Sequence, residues 1–281
     1  MRIFLVGGTG FIGRGVLPLL LQDGHSITAL VRPGSLNKLK PGEHPNLKII
    51  RGDALQSETY IDELKRKRID AVINLVGILR EKRRKGITFQ KIHIDVVKNL
   101  LELAQNLGIK KFIHVSANGA RKEGTPYQKT KWEAERLIKE SGIDFTIIRP
   151  SVVLGDDPDV YNFASVLDEL LKFPIVPLPG GGKFLLQPVE RKEVSLWILR
   201  ALKDTKLTNR IIPLCGKDVL TFAELIKRKA KEKGLKRAYI PIPLAFLKIG
   251  ARLFGNFDWF PIGRDEIKML EEGNVCPEKV V

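Results

Sequence analysis

The amino-acid sequence predicts an α/β fold in which a doubly wound parallel sheet is followed by a smaller, mostly helical C-terminal lobe. Three observations favour this class for the 281 residues. A glycine-rich turn comes directly after the first short apolar run. Apolar runs then alternate with amphipathic helical stretches, and Pro- and Gly-rich segments end this alternation. Such alternation is typical of a Rossmann-type sheet. It predicts a sheet domain at 1–150 and a lobe at 151–281, interleaved as one compact unit.

The first thirteen residues, MRIFLVGGTGFIG, predict a strand, a glycine turn and a helix N-terminus in direct succession. At such a junction the backbone N–H groups and the positive helix end face a pyrophosphate, and absent side chains let it approach. The alternative is an ordinary tight turn between a strand and a helix. The residues expected to contact a dinucleotide here are Gly7, Thr9, Gly10, Phe11, Ile12 and Gly13.

The second strand, Ser26 to Val31, bears on the choice of dinucleotide. A site that prefers NAD usually has Asp or Glu about 20 residues after the glycines, where it binds the ribose hydroxyls. Here that place holds Val31 and Arg32. An arginine offers a fork of donors for a 2′-phosphate. The sequence therefore favours NADP(H), with NAD as the alternative, unless Arg32 is a surface residue that ignores the cofactor.

The third and fourth strands, Leu47 to Arg51 and Ala71 to Leu75, supply the next candidate residues. The carboxyl ends of parallel strands are where ligands bind in such sheets. Asp53 follows the third strand, where it either accepts a hydrogen bond from an adenine amino group or caps the next turn. The residues expected in the cofactor cleft from these two strand ends are Asp53, Ala54, Leu75, Val76 and Gly77.

A long helix is predicted from about Phe89 to Leu107, with an apolar stripe that faces the sheet. His93 lies next to that stripe, and we expect a packed, hydrogen-bonded histidine rather than a catalytic one. The fifth strand, Lys111 to Ser116, follows this helix.

The next helix predicts a catalytic pair. Thr125 and Pro126 have the character of an N-cap and a first helical residue, and Tyr127 and Lys131 share one helix face. A neighbouring ammonium favours the phenolate, so we expect the pKa of Tyr127 to be lowered. Such a tyrosine exchanges a proton with a substrate oxygen while a nicotinamide transfers hydride. The YxxxK pattern alone is a poor signal, but its position after the fifth strand strengthens it.

The sixth strand, Phe145 to Ile148, ends the regular alternation. Helices are predicted near 192–204 and 221–233, and two further helical runs at 243–254 and 264–271. The run at 243–254 is amphipathic, with Lys248 and Arg252 opposite an apolar face. Packing onto the sheet domain is the default for this run, and a membrane or a partner protein is the alternative.

Composition narrows the function classes. The formal net charge is +16, and Lys82 to Lys85 form a run of cations in a loop after a strand. That loop is either simply hydrated or contacts an anionic partner such as a lipid surface or an acidic protein. No aromatic–basic motif indicates nucleic acid, and the four histidines lack metal-ligand spacing.

The expected compartment is the cytoplasm. Cys215 and Cys276 are far apart without CxxC spacing, which favours a protein with reduced thiols. Apolar runs are too short for a transmembrane segment, and a strand that starts at residue 2 argues against a signal peptide.

Several motifs together resemble one family. They are GGTGFIG at 7–13, NLVGIL at 74–79, HVSANGA at 114–120, Tyr127 with Lys131, RPS at 149–151, QPV at 187–189 and GRDEIKMLEEGNV at 263–275. On these motifs the sequence resembles an atypical extended short-chain dehydrogenase/reductase (SDR). Within that family it is similar to the group of the nucleotide-binding accessory subunit of respiratory complex I and its bacterial relatives. The resemblance covers nearly the whole chain.

The resemblance implies roles for individual residues. Gly7, Gly10, Gly13, Arg32, Asp53 and Gly77 would line an NADP(H) cleft that also includes Pro150, and Tyr127 and Lys131 would stand beside the nicotinamide ribose. Active members usually carry Ser or Thr one or two positions beyond Ser116, but this chain has Ala117 and Asn118 there. Ser116 is the one substitute, and we expect its hydroxyl to be used in a backbone contact. Loss of that donor would cost roughly 2–4 kcal/mol of carbonyl activation.

Three functions remain open from the sequence. In the first, NADP(H) is a structural or sensing cofactor, at a quinone-linked respiratory complex on the inner face of the cell membrane. In the second, the chain is an active oxidoreductase, epimerase or dehydratase acting on a nucleotide-sugar or another carbonyl substrate. The third is a regulatory binding module without turnover.

Overall fold

The computed structural model describes residues 1–39, 44–157, 159, 160, 162–254 and 264–277. Its strands are β1 (Arg2–Val6), β2 (Ser26–Val31), β3 (Leu47–Arg51), β4 (Ala71–Asn74), β5 (Lys111–Val115), β6 (Asp144–Pro150), β7 (Val153–Leu154), β8 (Ile175–Pro179), β9 (Leu185–Leu186), β10 (Val189–Glu190), β11 (Arg210–Leu214), β12 (Leu220–Thr221) and β13 (Ala238–Ile242). Its α-helices are α1 (Phe11–Gln22), α2 (Ile61–Lys65), α3 (Val96–Asn106), α4 (Pro126–Glu140), α5 (Phe163–Leu171), α6 (Arg191–Lys203), α7 (Phe222–Glu232), α8 (Leu244–Phe254) and α9 (Arg264–Glu272).

A seven-stranded sheet organises the first part of the chain, in the order β11-β6-β5-β4-β1-β2-β3. The neighbouring strands from β3 across the sheet to β6 all pair in parallel, and β1 lies between β2 and β4. The chain therefore reverses its direction of winding at β1 and β4, which is where such sheets bind ligands. The predicted Rossmann-type sheet is confirmed.

Burial explains why the strands could be found from sequence. All four residues of β4 are buried, as are the last four of β1, because helices cover both faces of the sheet. The first three strands have the predicted bounds, whereas β6 runs from Asp144 to Pro150 and is longer than predicted. The predicted helix from Phe89 to Leu107 begins as a π-helical turn over Gln90–Asp95, and only then continues as α3.

The chain forms two compact units that are interleaved in sequence. One unit comprises Met1–Pro150 and Arg191–Pro213, and the other comprises Ser151–Glu190 and Leu214–Val281. The predicted division at residue 150 corresponds to the first crossing between them, but helix α6 and most of β11 belong to the sheet unit. In that unit, the Lys111 ammonium donates to two carbonyl groups of α6, at 3.0 and 3.1 Å.

The second unit has its own apolar core, in which α5 and α7 pack with the short strand β8. It contains four helices and six short strands among the residues described, so the predicted mostly helical lobe is confirmed, with short strands that were not predicted. Short two-residue strands carry too little periodicity to be recognised from sequence. Helix α7 begins with a capping box between Thr221 and Glu224.

The two cysteines form a disulfide in the second unit, with Cα atoms 6.0 Å apart and a separation of 61 positions in sequence. The prediction of separate, reduced thiols is therefore wrong. The sequence could not reveal the pairing because the tail returns to a distant segment: Asn274 N–H donates to the Leu185 carbonyl at 2.8 Å, and Gln187 N–H donates to Asn274 at 2.9 Å. The Cys276 N–H also donates to Gln187 Oε1 at 3.0 Å.

The disulfide gives a stability prediction. Closing a loop across 61 residues removes entropy from the unfolded chain, so Cys276→Ser should lower the free energy of unfolding by up to roughly 4 kcal/mol. Chemical denaturation with and without a thiol reductant measures this. The reductant should lower the midpoint of the wild-type protein and leave that of Cys276→Ser unchanged. An unchanged wild-type midpoint in reductant would contradict the bond.

Candidate dinucleotide-binding site

The glycine turn between β1 and α1 lies against the end of β4. Gly7 has a φ of +88°, and a Cβ there would lie 2.9 Å from the Leu75 carbonyl carbon and 3.0 Å from Val76 N. Gly13 has no room for a Cβ either, because the Gly7 carbonyl and the Gly8 backbone occupy the space. Both glycines are therefore required by close approach of the backbone.

The N-terminus of α1 is suited to an anion. Gly10 is the N-cap, its N–H donates to the Gly7 carbonyl at 3.0 Å, and no side chain caps the helix. The first N–H groups of a helix have no intrahelical acceptor. Those of Phe11, Ile12 and Gly13 therefore suit the pyrophosphate of a dinucleotide. Thr9 is partly buried in the same turn.

Helix α6 holds one side of this turn. The guanidinium of Arg191 lies over the Phe11 ring, 4.9 Å from its centre, and approaches the Phe11 carbonyl at 3.5 Å. A Cβ on Gly15 would come within 2.7 Å of Ser195 Oγ, so α1 and α6 are in close contact. The sequence did not indicate this support, because α6 lies 169 residues after α1 ends and beyond the excursion of the chain into the second unit.

The residues predicted for the adenosine end follow β2 and β3. Arg32 is exposed directly after β2 and precedes a 3₁₀ turn at Pro33–Lys38. Asp53 accepts the Leu55 N–H at 3.0 Å, which is the turn-capping alternative of the sequence analysis. The Ala54 carbonyl accepts a hydrogen bond from the Asn99 amide at 3.0 Å. A contact of Asp53 with adenine stays a prediction.

The segment after β4 connects the glycine turn to Lys131. Leu75 N–H donates to the Val6 carbonyl at 2.9 Å, and Val76 N–H donates to Asn74 Oδ1 at 3.0 Å. A Cβ on Gly77 would lie 3.1 Å from the Lys131 ammonium. The structure therefore brings the predicted residues Leu75 to Gly77 between the pyrophosphate turn and the predicted catalytic helix.

Helix α4 presents the predicted pair. Thr125 and Gln128 form a capping box, and Pro126 occupies the first turn, as expected. The buried Lys131 ammonium donates to the Val115 carbonyl at 3.2 Å. Burial lowers the pKa of Lys131 to about 8, although the carboxylate of Glu135 opposes that shift.

The expected pKa of Tyr127 is wrong in direction. Burial raises the pKa of Tyr127 to about 12, whereas the sequence predicts that the neighbouring lysine lowers it. The reason is packing: the Tyr127 ring makes edge contacts with Phe89 and His93, at 5.6 and 5.4 Å between ring centres. Removal of the phenol from water disfavours the phenolate. Tyr127 therefore keeps its proton at neutral pH.

His93 is the packed, hydrogen-bonded residue that was predicted. It is 1% exposed, its Nδ1 is 2.9 Å from Thr130 Oγ1, and its Nε2 is 3.1 Å from the Ile78 carbonyl. Burial lowers the pKa of His93 to about 2, with a smaller effect from Lys131, so the ring is neutral. What the sequence did not indicate is its edge contact with Tyr127, through which His93 helps to orient the phenol.

Ser116 does not make the backbone contact that was expected. Its hydroxyl donates to Glu135 Oε1 at 2.5 Å, and that carboxylate is 1% exposed. Arg149 completes the group, with Nε 2.8 Å from Oε1 and Nη2 2.5 Å from Oε2 of Glu135. Glu135 and Arg149 were not among the predicted site residues. The spacing of Glu135 four residues after Lys131 on one helix face was the available signal.

The positions beyond Ser116 turn towards β6. Asn118 N–H donates to the Pro150 carbonyl at 2.8 Å, which places Pro150 beside the end of β5. Ala117 is 9% exposed and carries no donor on its side chain.

In the ranges that the structure describes, no three His, Cys, Asp or Glu side chains are grouped to hold a metal. No helix in those ranges combines the length and apolar character needed to cross a bilayer.

A parallel sheet, a glycine turn against its switch point and a Tyr-Lys helix define a dinucleotide-binding protein of the SDR type. The chain belongs to the NAD(P)H-binding family, whose model matches residues 7–205. The resemblance to SDR proteins is thereby confirmed.

The chain is also similar to individual known proteins. The photosystem II assembly factor Ycf39 of Cyanophora paradoxa is 24% identical over 260 residues, which is 92% of this chain and 77% of the relative. The mitochondrial NADH-ubiquinone oxidoreductase 40 kDa subunit of Neurospora crassa is 25% identical over 268 residues, 93% of this chain and 68% of the subunit. The solved UDP-glucose 4-epimerase of Thermotoga maritima has the same fold, with a TM-score of 0.72, 22% identity and 86% coverage of both chains.

The lowered pKa of Lys131 predicts a pH dependence of stability. Between pH about 8 and about 10 the unfolded lysine binds a proton that the folded one has lost, so the free energy of unfolding should rise with pH, by up to about 1.4 kcal/mol per pH unit. Denaturation of the nucleotide-free protein across this range measures the slope. Lys131→Met should remove this component, and Lys139→Met, at an exposed position of the same helix, should keep it. Equal slopes in both variants would refute the assignment.

The buried carboxylate of Glu135 gives a second prediction about the free energy of unfolding. Glu135→Gln leaves the Arg149 guanidinium without its counter-charge, and we expect a loss of about 3 kcal/mol in the free energy of unfolding. Glu133→Gln is the matched control, because its ion pair with Arg136 is more exposed and should cost about 1 kcal/mol or less. Similar losses in both variants would show that the buried pair has no special role.

Proposed function

We propose that the chain binds NADP(H) and retains it as a structural or sensing cofactor without catalytic turnover. One observation carries the proposal: the Ser116 hydroxyl is already donated to Glu135, while Ala117 stands at the next position. A carbonyl substrate would therefore lack the hydroxyl donor that active SDR enzymes use. Removal of one such donor typically costs a factor of 10²–10³ in kcat.

The protonation states of the pair support the same proposal. With a pKa of about 12, Tyr127 holds its proton at neutral pH and is a poor general base. Lys131, with a pKa of about 8, still carries a positive charge there for the most part. A protonated amine and a phenol are both donors, and they suit the ribose hydroxyls of a resident nucleotide.

Arg32 supports the choice of NADP(H) over NAD. Its side chain is exposed at the carboxyl end of β2, where a site that prefers NAD has a carboxylate. A guanidinium forms bidentate, charge-assisted hydrogen bonds with a phosphate. A 2′-phosphate would therefore find a partner here, whereas free ribose hydroxyls would lack their usual acceptor.

We further propose peripheral association with a respiratory complex at the cell membrane. Support comes from the relatives: one is a subunit of NADH-ubiquinone oxidoreductase and another is a photosystem II assembly factor. Both names refer to assemblies of several components. A nucleotide that is held without turnover suits a subunit of such an assembly.

The second candidate function is an active oxidoreductase, or an epimerase or dehydratase of nucleotide-sugars. It is favoured by the retention of Tyr127 and Lys131 on one face of α4, beside Gly77. The fold shared with UDP-glucose 4-epimerase is compatible with this alternative. Turnover assays separate the two candidates.

The test of turnover uses purified protein and the nucleotide that it retains. We expect chromatography of the released ligand to identify NADP(H), and no consumption of NADPH or of UDP-sugars across a panel of carbonyl substrates and nucleotide-sugars. Tyr127→Phe should retain the nucleotide, because the ring contacts with Phe89 and His93 remain. Turnover that disappears in Tyr127→Phe would overturn the proposal in favour of the enzyme.

The test of cofactor choice is Arg32→Ala. Loss of a charge-assisted contact to a 2′-phosphate should weaken NADPH binding roughly 10- to 100-fold and leave NADH binding nearly unchanged. Calorimetric titration with both nucleotides measures this. Arg66→Ala, at an exposed position after α2, is the control and should change neither affinity. Equal weakening of both nucleotides by Arg32→Ala would refute the phosphate contact.

A further inference from the structure

The loop after the cofactor segment of β4 forms a closed turn, which we call the basic hairpin (residues 79–87, LREKRRKGI). Lys82 N–H donates to the Ile87 carbonyl at 2.9 Å, and Ile87 N–H donates back to Lys82 at 3.2 Å. A 3₁₀ turn at Arg83–Lys85 and Gly86, with a φ of +67°, connect the two sides. The backbone of this loop is therefore fixed by its own hydrogen bonds.

The basic hairpin is also tied to the body of the sheet unit. Glu81 accepts the Phe89 N–H at 2.8 Å and pairs with Arg83 at 2.7 Å. Just before the hairpin, Ile78 contacts the buried His93. The position of the hairpin is thus set by residues that also pack around Tyr127.

The charge of this segment is unbalanced. Residues 78–94 contain six lysines and arginines but a single acid, Glu81. Lys82, Arg84 and Lys85 are exposed and have no ion-pair partner within the described ranges. Other cations of the chain often have one: the half-buried Arg136 pairs with two glutamates, and the exposed Lys203 pairs with Asp23. A fixed turn that holds like charges together opposes folding, unless an anion outside the chain compensates for it.

An exposed apolar side chain indicates which kind of anionic partner fits the basic hairpin. Leu79 is 57% exposed at the start of the basic hairpin. A membrane interface accepts both groups at once, because the leucine enters the acyl boundary and the cations remain among the headgroups. The hairpin contains no aromatic residue on which a nucleic-acid base would stack. An acidic protein surface would match the cations but gives no role to Leu79.

We propose that the basic hairpin docks on an anionic lipid surface. The inference rests on the membrane association proposed above, and it supplies the surface that makes the contact. It is independent of whether the chain turns over a substrate. Because the hairpin follows Gly77 at the carboxyl end of β4, docking would turn that end of the strand towards the bilayer.

Vesicle binding tests the proposal. Full-length protein is sedimented with vesicles of phosphatidylcholine alone or of phosphatidylcholine with phosphatidylglycerol, at low and high salt. We expect binding to the anionic vesicles at low salt and release at high salt. The triple variant Lys82→Gln, Arg84→Gln, Lys85→Gln should bind them roughly 100-fold more weakly, since each cation near such a surface contributes about one factor of five. Leu79→Ser should weaken the binding that remains at intermediate salt.

A matched control separates the hairpin from net charge. Lys48→Gln, Lys110→Gln, Lys139→Gln removes the same charge from exposed positions outside the hairpin. Unchanged nucleotide affinity and circular dichroism would verify that both triple variants are folded. Equal loss of vesicle binding in the two triple variants, or no binding by the wild-type protein, would overturn the proposal. Wild-type protein that enters native membrane fractions but ignores the vesicles would also overturn it, while leaving association with a membrane complex intact.

Discussion

The close approach of two backbone segments is the constraint on which the site depends. The turn at Gly7 lies so near the end of β4 that neither Gly7 nor Gly13 can carry a side chain. This contact opens the first turn of α1 to an anion and brings Gly77 next to the Lys131 ammonium. Cofactor binding and the predicted catalytic pair are therefore parts of one packing arrangement, since both are built on the point where the sheet reverses its direction.

A buried carboxylate then decides what chemistry the arrangement supports. Glu135 needs partners because an isolated buried charge is very costly, and it finds them in Arg149 and the Ser116 hydroxyl. The same hydroxyl is the donor that a carbonyl substrate would require. The Ser116 hydroxyl has one proton to donate, so a hydrogen bond to Glu135 and a hydrogen bond to a substrate carbonyl exclude each other. In the function proposed above, the structural demand prevails.

The parts of the molecule that follow from local sequence were predictable, and the parts that depend on distant segments were not. Apolar runs identified β1, β2 and β4, and the capping residues identified the start of α4. The partner of Ser116 and the sign of the Tyr127 pKa shift depend on contacts with other elements, as does the pairing of Cys215 with Cys276. For Tyr127, the neighbouring lysine was visible in the sequence, whereas the aromatic packing that outweighs it was not.

The interleaving of the two units has a consequence for folding during synthesis. Helix α6, which supports the cofactor turn through Arg191, and most of β11 are made only after the chain has passed through residues 151–190. Until they leave the ribosome, β6 has an unpaired edge and α1 an uncovered face, which are features that attract misassembly. The nucleotide site therefore becomes complete late in translation, although its first glycine is residue 7.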